Sequence, residues 1–345
     1  MPLKLIPESS PLYTYTTETT AGYDQRKRGS VYASQDVEVA YRKYVRREPV
    51  KGTPLNLLFN HGNGMNKAAW HRMIDSLFHT VPQLQCAVAT DLINHGDSVE
   101  ANQDKLGYDY WWSDSAHDCN LVAKAQPEFS AGVNVVVGHS MGGCIALMQC
   151  EFEPQLWQAC IVVNPTAYID DEFEDLMAVA IPMWERRPYF KTSYDTKGKD
   201  WWQTAWDFYR KKSFFRLFPD EELNNVLYDE FNGRYQLGES YDEVRPKATA
   251  KIQSQIYWQF PRCAREAMAG YKNIKTPVYI IWGDRDTTPE DRSLELRKML
   301  PSLVEVVEVP DGKHLMVQEI PEVVGGHLLS AITKAYKGAN TTSKL

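Results

Sequence analysis

The chain has 345 residues, 38 basic and 45 acidic side chains, a formal net charge of −7 and 43% hydrophobic residues. That length fits one large domain or a domain carrying a sizeable insertion, with enough apolar content for a substantial core. The mild acidity without a long basic run argues against a nucleic-acid surface, and no apolar stretch approaches the ~20 residues of a membrane span.

The first residues, Met1-Pro2-Leu3-Lys4-Leu5-Ile6-Pro7-Glu8, lack the apolar segment of a secretory signal, so secretion is not expected. Residues 1–34 are polar, rich in Thr and Tyr, and read as an extended N-terminal extension. Residues 35–47 alternate enough for an antiparallel strand at a sheet edge. A turn follows at Lys51-Gly52-Thr53-Pro54. Residues 55–59 form a second, buried strand, which runs into His61-Gly62-Asn63-Gly64 and then a helix over roughly 67–79. A third strand over 85–92 ends in Asp91-Leu92-Ile93-Asn94-His95-Gly96-Asp97-Ser98, where His95 reads as structural. A helix is expected over 111–126, with Trp111 and Trp112 packing on the sheet or lining a pocket mouth.

The centre of the chain is Val133–Gly143. A short β-branched run, Val133 to Val137, reads as a fully buried strand. Gly138-His139-Ser140-Met141-Gly142 follows, a match to Gly-x-Ser-x-Gly, and then an apolar run from Cys144 to Cys150 reads as a buried helix. Strand, tight turn and helix are the setting a nucleophile elbow needs. The turn pushes Ser140 towards positive φ, a strain of about 1–3 kcal/mol that holds its hydroxyl clear of the backbone. Gly138 and Gly142 are small because strand and helix meet at the bend. The Met141 N–H sits at a helix N-terminus, where it can stabilise negative charge. His139 reads as a packing residue of the elbow.

Residues 159–164 form the next buried strand. From 165 to about 275 the strand–helix alternation stops, and five of the ten tryptophans (184, 201, 202, 206 and 258) fall in this segment. A loop that long is not structureless in a compact domain, so it reads as a helical cap over residues 166–275. The core comprises 35–165 and 276–336. Alternation resumes with a strand over 277–282 ending in Gly283-Asp284-Arg285-Asp286-Thr287-Thr288-Pro289, a helix over 290–299, and a strand over 303–309. The loop Pro310-Asp311-Gly312-Lys313-His314 leads into a final helix to about 336, and 337–345 reads as a flexible tail. Six cysteines (86, 119, 144, 150, 160, 263) form no Cys-x-x-Cys pair, which predicts free thiols in a reducing compartment.

The alternating strands and helices, broken by a late insertion, predict a mostly parallel α/β sheet flanked by helices. Four motifs resemble the α/β-hydrolase superfamily from about residue 35 to 336: His61–Gly64, Gly138–Gly142, Gly283–Asp286 and His314-Leu315-Met316-Val317-Gln318-Glu319-Ile320-Pro321. The resemblance implies a serine hydrolase with Ser140, Asp286 and His314 in the family's order of nucleophile, acid and base. Asp284 and Asp170 are alternative acids. Serine at its free pKa is a poor nucleophile, so His314 must take its proton and later pass it to the leaving group. Asp286 must orient that imidazole and stabilise its charged form. The His61–Gly64 loop resembles the lipase oxyanion loop, which assigns the Asn63 N–H, beside that of Met141, to the oxyanion. No cofactor and no metal is called for.

The chain ends in Ser343-Lys344-Leu345, which reads as a receptor-read peroxisomal address and implies an import receptor as partner and the peroxisomal matrix as location. With the layout, this resembles fungal peroxisomal hydrolases, a group of matrix lipases and hydrolases of toxin and other secondary-metabolite clusters. The expected substrate is a small apolar ester or thioester. Acyl-CoA thioester cleavage, C–C hydrolysis, epoxide opening or cyclisation on the same scaffold are the competing chemistries, and a non-catalytic ligand-binding member is the non-enzymatic one.

Overall fold

In the computed structural model, residues 4–32, 36–102, 104–191, 200–232 and 244–342 are described. Gln35, where the first expected strand begins, and the terminal Ser343-Lys344-Leu345 lie outside these residues. Among the described residues eight strands form one sheet: β1 (Tyr13–Ala21), β2 (Glu38–Arg46), β3 (Leu55–Asn60), β4 (Leu84–Thr90), β5 (Val133–His139), β6 (Ala159–Val163), β7 (Val278–Arg285) and β8 (Leu303–Lys313). Their spatial order is β1-β2-β4-β3-β5-β6-β7-β8. The pairs β1–β2 and β2–β4 are antiparallel and all others are parallel.

Every residue of β3, β5 and β6 is buried, as expected of parallel strands covered on both faces. Alternate residues feed the two faces. Val136 and Leu58 pack with α3 (Trp112–Lys124) and α4 (Met141–Phe152), whereas Val135, Val137 and Leu57 pack with α1 (His71–Thr80) and the C-terminal helix. A short α2 (Gly96–Asn102) follows β4 and begins within the Asp91–Ser98 stretch.

Two expectations are corrected. The N-terminal segment is not only a lead-in: β1 pairs along its full length with β2, from Tyr13 opposite Arg46 to Ala21 opposite Glu38. Strand β2 is therefore an interior strand rather than the edge. The sequence conceals β1 because its core contacts are confined to its start, the buried Tyr13, packed on Phe78 with ring centroids 4.6 Å apart, and the half-buried Tyr15, so the apolar alternation stops after two residues. At the other end the last helix, α10 (Pro321–Thr342), runs past residue 336 into the expected tail. Ala335, Tyr336 and Ala339 pack on the same core cluster, and the Tyr336 hydroxyl donates to the Thr53 carbonyl at 2.7 Å, which carries the helix onward.

Between β6 and β7 the chain forms α5 (Asp171–Glu185), α6 (Trp201–Lys212), α7 (Asp220–Glu230) and α8 (Ala250–Gly270), and after β7 comes α9 (Glu290–Met299). Many of the inserted aromatics build a cluster of their own: Phe190, Trp201, Trp202, Phe215 and Phe231 pack with Met65 and Ala69 from the segment after β3. A buried ionic network ties α7 to the sheet. Asp229 lies 2.8 Å from Arg42 and 3.3 Å from Lys67, and Lys67 lies 2.8 Å from Asp91 and 2.7 Å from Asp97. Lys247 completes it at 2.5 Å from Asp97, giving three cations and three carboxylates. These cations hold the Asp229 carboxyl well below the usual range despite its burial.

The strand sequence reverses direction between β3 and β5: β4 lies on one side of β3 and β5 on the other. Such a reversal leaves a crevice at the carboxyl ends of the strands, and the expected site motifs all leave the sheet along that edge.

Candidate active site

Ser140 joins β5 to α4 with φ 55° and ψ −122°, a region disfavoured for a residue with a side chain. The geometry explains the flanking glycines. A Cβ on Gly138 would fall 2.1 Å from the Gly142 carbonyl oxygen, and one on Gly142 2.5 Å from that of Asn60. The elbow is also held from its neighbour strand: Ser140 N–H donates to the Val163 carbonyl at 3.1 Å, and Thr166 N–H donates to the Ser140 carbonyl at 3.1 Å.

His314 follows β8 and Asp286 follows β7. The His314 Nδ1 lies 2.8 Å from Asp286 Oδ2, and its Nε2 lies 2.8 Å from Ser140 Oγ. The other carboxylate oxygen accepts the Thr288 N–H at 2.6 Å. The carboxylate is almost wholly buried and the imidazole partly open, at 1% and 22% side-chain exposure. With the Nδ1 proton given to the carboxylate, Nε2 is left as acceptor for the serine O–H. Neither alternative acid stands there. Asp284 is exposed on β7, and Asp170 caps α5 through the Phe173 N–H at 2.7 Å and is bound by Arg292 Nε at 2.9 Å.

Two residues that the sequence reading did not assign to the site support the His314 loop. His139 is more than elbow packing: its Nε2–H donates to the His314 carbonyl at 2.8 Å. Burial, followed by the proximity of His314, pushes the His139 pKa down to about 3, so the ring is neutral. Asn164, at φ 43°, donates from Nδ2 to the Lys313 carbonyl at 2.9 Å and the His314 carbonyl at 3.3 Å. Its Oδ1 accepts the Gly283 N–H at 2.8 Å, so one side chain spans the loops of Asp286 and His314. An asparagine just after a buried strand is the only trace of this in the sequence.

The loop after β3 passes directly beside the serine, because β3 and β5 are neighbours. A Cβ on Gly62 would lie 3.1 Å from Ser140 Cβ. His61 braces this loop: Nδ1–H donates to the Gly62 carbonyl at 2.8 Å, and Nε2 accepts the Leu92 N–H at 3.1 Å. His95 Nε2 accepts the Gly64 N–H at 3.0 Å, in keeping with a structural role. Burial lowers the pKa of both rings. Asn63 faces the site's cavity, and Met141 is the first residue of α4, where backbone N–H groups have no partner within the helix.

Ser140 and His314 open on a cavity of about 440 Å³. Its walls are mostly apolar, including Met65, Phe173, Met177, Trp184, Phe214 and Phe260. Of the inserted tryptophans singled out by sequence, Trp184 reaches this cavity; Trp201 and Trp202 pack in the separate cluster, and Trp258 is 48% exposed. Trp112 is buried and stacks on Phe260 at 5.5 Å, while Trp111 lines a different cavity.

The family model described as "alpha/beta hydrolase family" matches residues 57–325. The chain is 25% identical over 327 residues to the "Peroxisomal membrane protein LPX1" of Saccharomyces cerevisiae, covering 90% of this chain and 84% of that protein. The crystal structure of that yeast peroxisomal alpha-beta-hydrolase superposes with a TM-score of 0.80 at 23% identity, over 95% of this chain and 91% of the other. A shorter match, 26% over 163 residues, joins 46% of this chain to 38% of the "Type I acyl-CoA thioesterase mpaH" of Penicillium roqueforti. The eight-stranded, mostly parallel sheet, the strained serine between β5 and α4 and the match across most of the chain lead to one assignment: the protein belongs to the alpha/beta hydrolase family.

Proposed function

We propose that the protein is a serine hydrolase that cleaves carboxylic ester or thioester bonds of an apolar acyl substrate. The observation that carries this reading is the hydrogen-bonded series Asp286–His314–Ser140 opening on an apolar cavity. In this reading Ser140 Oγ attacks the carbonyl carbon while His314 Nε2 takes its proton. The proton then passes to the leaving group, and a water repeats the sequence to release the acid. Asp286 keeps the imidazole in the tautomer that accepts at Nε2.

The oxyanion is assigned to the Asn63 and Met141 N–H groups. His61 supports this assignment, since it holds the Gly62 carbonyl, and a trans peptide turns the following N–H the opposite way. Residues 166–275 act as a helical cap over a core of 35–165 and 276–336. The cavity volume lies within the ~300–1,000 Å³ usual for small-molecule sites, and its apolar walls suit an acyl chain better than a polar group. The thioesterase match is the observation that favours a thioester among the substrates.

A fluorophosphonate probe tests the nucleophile: it labels the wild type and spares Ser140→Ala. Equal labelling of both refutes the assignment. A chain-length series of p-nitrophenyl esters beside matched acyl-CoA thioesters then separates ester from thioester preference. We further assign the protein to the peroxisomal matrix through Ser343-Lys344-Leu345 and its import receptor. The name of the yeast relative, "Peroxisomal membrane protein LPX1", supports the peroxisome, and the matrix rests on the terminal tripeptide alone. An N-terminal fluorescent fusion is expected in peroxisomes and, without the last three residues, in the cytosol; unchanged distribution refutes it.

A further inference from the structure

Thr166 Oγ1 lies 3.2 Å from Ser140 Oγ and borders the same cavity. Its backbone is fixed, because its N–H donates to the Ser140 carbonyl at 3.1 Å, so the hydroxyl is held beside the nucleophile. Proton counting sets the direction of the contact. A serine hydroxyl has one proton and two lone pairs. The Ser140 proton is directed to His314 Nε2 at 2.8 Å, which leaves a lone pair for Thr166. Thr166 O–H therefore donates to Ser140 Oγ.

We propose that Thr166 is a further catalytic residue, which stabilises negative charge on Ser140 Oγ at the two moments when that atom carries it. This rests on the reading of Ser140 as nucleophile. In acylation the Ser140 O–H bond breaks, the proton goes to His314 Nε2, and the Oγ–C bond forms as the carbonyl π pair moves onto its oxygen. The carbon–leaving-group bond then breaks and the leaving group takes the proton from His314. In deacylation water gives a proton to His314 as its oxygen bonds to the carbonyl carbon. The Oγ–C bond then breaks and Oγ recovers a proton from His314. Thr166 keeps its own proton throughout. Oγ is charged as it attacks and as it departs, so one donor serves both halves of the cycle. The backbone donors of an oxyanion hole act on a different atom, the carbonyl oxygen.

Thr166→Val keeps the shape and removes the O–H, and Thr166→Ser restores it. Both are compared with wild type and Ser140→Ala on a neutral p-nitrophenyl ester, with burst and steady-state rates measured. Thr166→Val is expected to slow acylation and deacylation each about tenfold, the worth of one neutral hydrogen bond, with KM within about twofold. Thr166→Ser returns both rates towards wild type. Wild-type rates in Thr166→Val, or equal slowing in Thr166→Ser, overturn the proposal while an inactive Ser140→Ala leaves the nucleophile standing. Turnover retained in Ser140→Ala overturns both.

Discussion

Replacing Asn164 removes a side chain that touches both loops bearing Asp286 and His314. The residue is 1% exposed. Its loss leaves the Gly283 N–H and the Lys313 carbonyl without their 2.8 Å and 2.9 Å partners, while the His314 carbonyl keeps His139 at 2.8 Å. A buried donor left unpaired costs about 1–3 kcal/mol, and the Lys313 carbonyl, nearer water, costs less. Alanine at a positive φ adds about 1 kcal/mol, because a Cβ without a local hydrogen bond is poorly tolerated there. Asn164→Ala is therefore expected to lose about 3 kcal/mol, and Asn164→Gly, which accepts the backbone angle, about 1 kcal/mol less. Urea unfolding with m held constant reads this directly. A displacement near 1 Å of His314 relative to Ser140 is expected to cost about 10²-fold in kcat. If Asn164→Gly changes stability by less than about 0.5 kcal/mol and leaves kcat unchanged, the reasoning fails, and His139 and the loop backbones alone hold the site.

Gly142→Ala puts a methyl 2.5 Å and 2.6 Å from the backbone oxygens of Asn60 and His61, which cannot rotate away. Phosphonate labelling of this variant is expected to fall at least about 10²-fold, and normal labelling refutes the elbow packing. Gly326→Ala, in α10 with nothing near the new Cβ, is expected to gain about 0.5–1 kcal/mol in urea unfolding; a loss would show that the helix is not regular there. Lys67→Met leaves the buried Asp91 and Asp229 and the partly exposed Asp97 facing two cations and is expected to cost about 3–5 kcal/mol; a neutral result would mean the network opens to water. Burial pushes the Glu230 pKa up to about 8 from its usual 4.5. The folded state thus holds a proton that the unfolded chain has released, so this group's contribution is complete below pH 4.5 and is lost as pH rises towards 8, at up to about 1.4 kcal/mol per pH unit. Glu230→Gln should therefore gain stability relative to wild type between pH 5 and 8, and a pH-independent difference would refute the linkage.

The elbow and the interior strands were legible because their constraints are local. Val133, Val135, Val136 and Val137 are buried in a strand covered on both faces, and Gly138 answers a clash with the carbonyl of Gly142, four residues on; Gly142, by contrast, clears the backbone of Asn60 and His61 at the end of the neighbouring strand. Strand β1 was not legible, since it meets the core through Tyr13 and Tyr15 at its start, while the mostly exposed Thr and Glu residues that follow pair with β2 through the backbone and leave no apolar pattern. The cap tryptophans were visible as a cluster but not as to their use: Trp184 borders the cavity while Trp201 and Trp202 fill a core.

Taken alone, the sequence determined which residue types could do acyl-transfer chemistry and that they fall at strand ends, since strain, small residues and strand periodicity are written in neighbouring positions. Which carboxylate meets His314, that His139 grips the loop 175 residues ahead of it, and that Thr166 stands beside the serine hydroxyl were decided by the packing of β5 to β8 side by side. Contacts between separate strands depend on distances in space, and those are set by the sheet order and register rather than by any short run of residues.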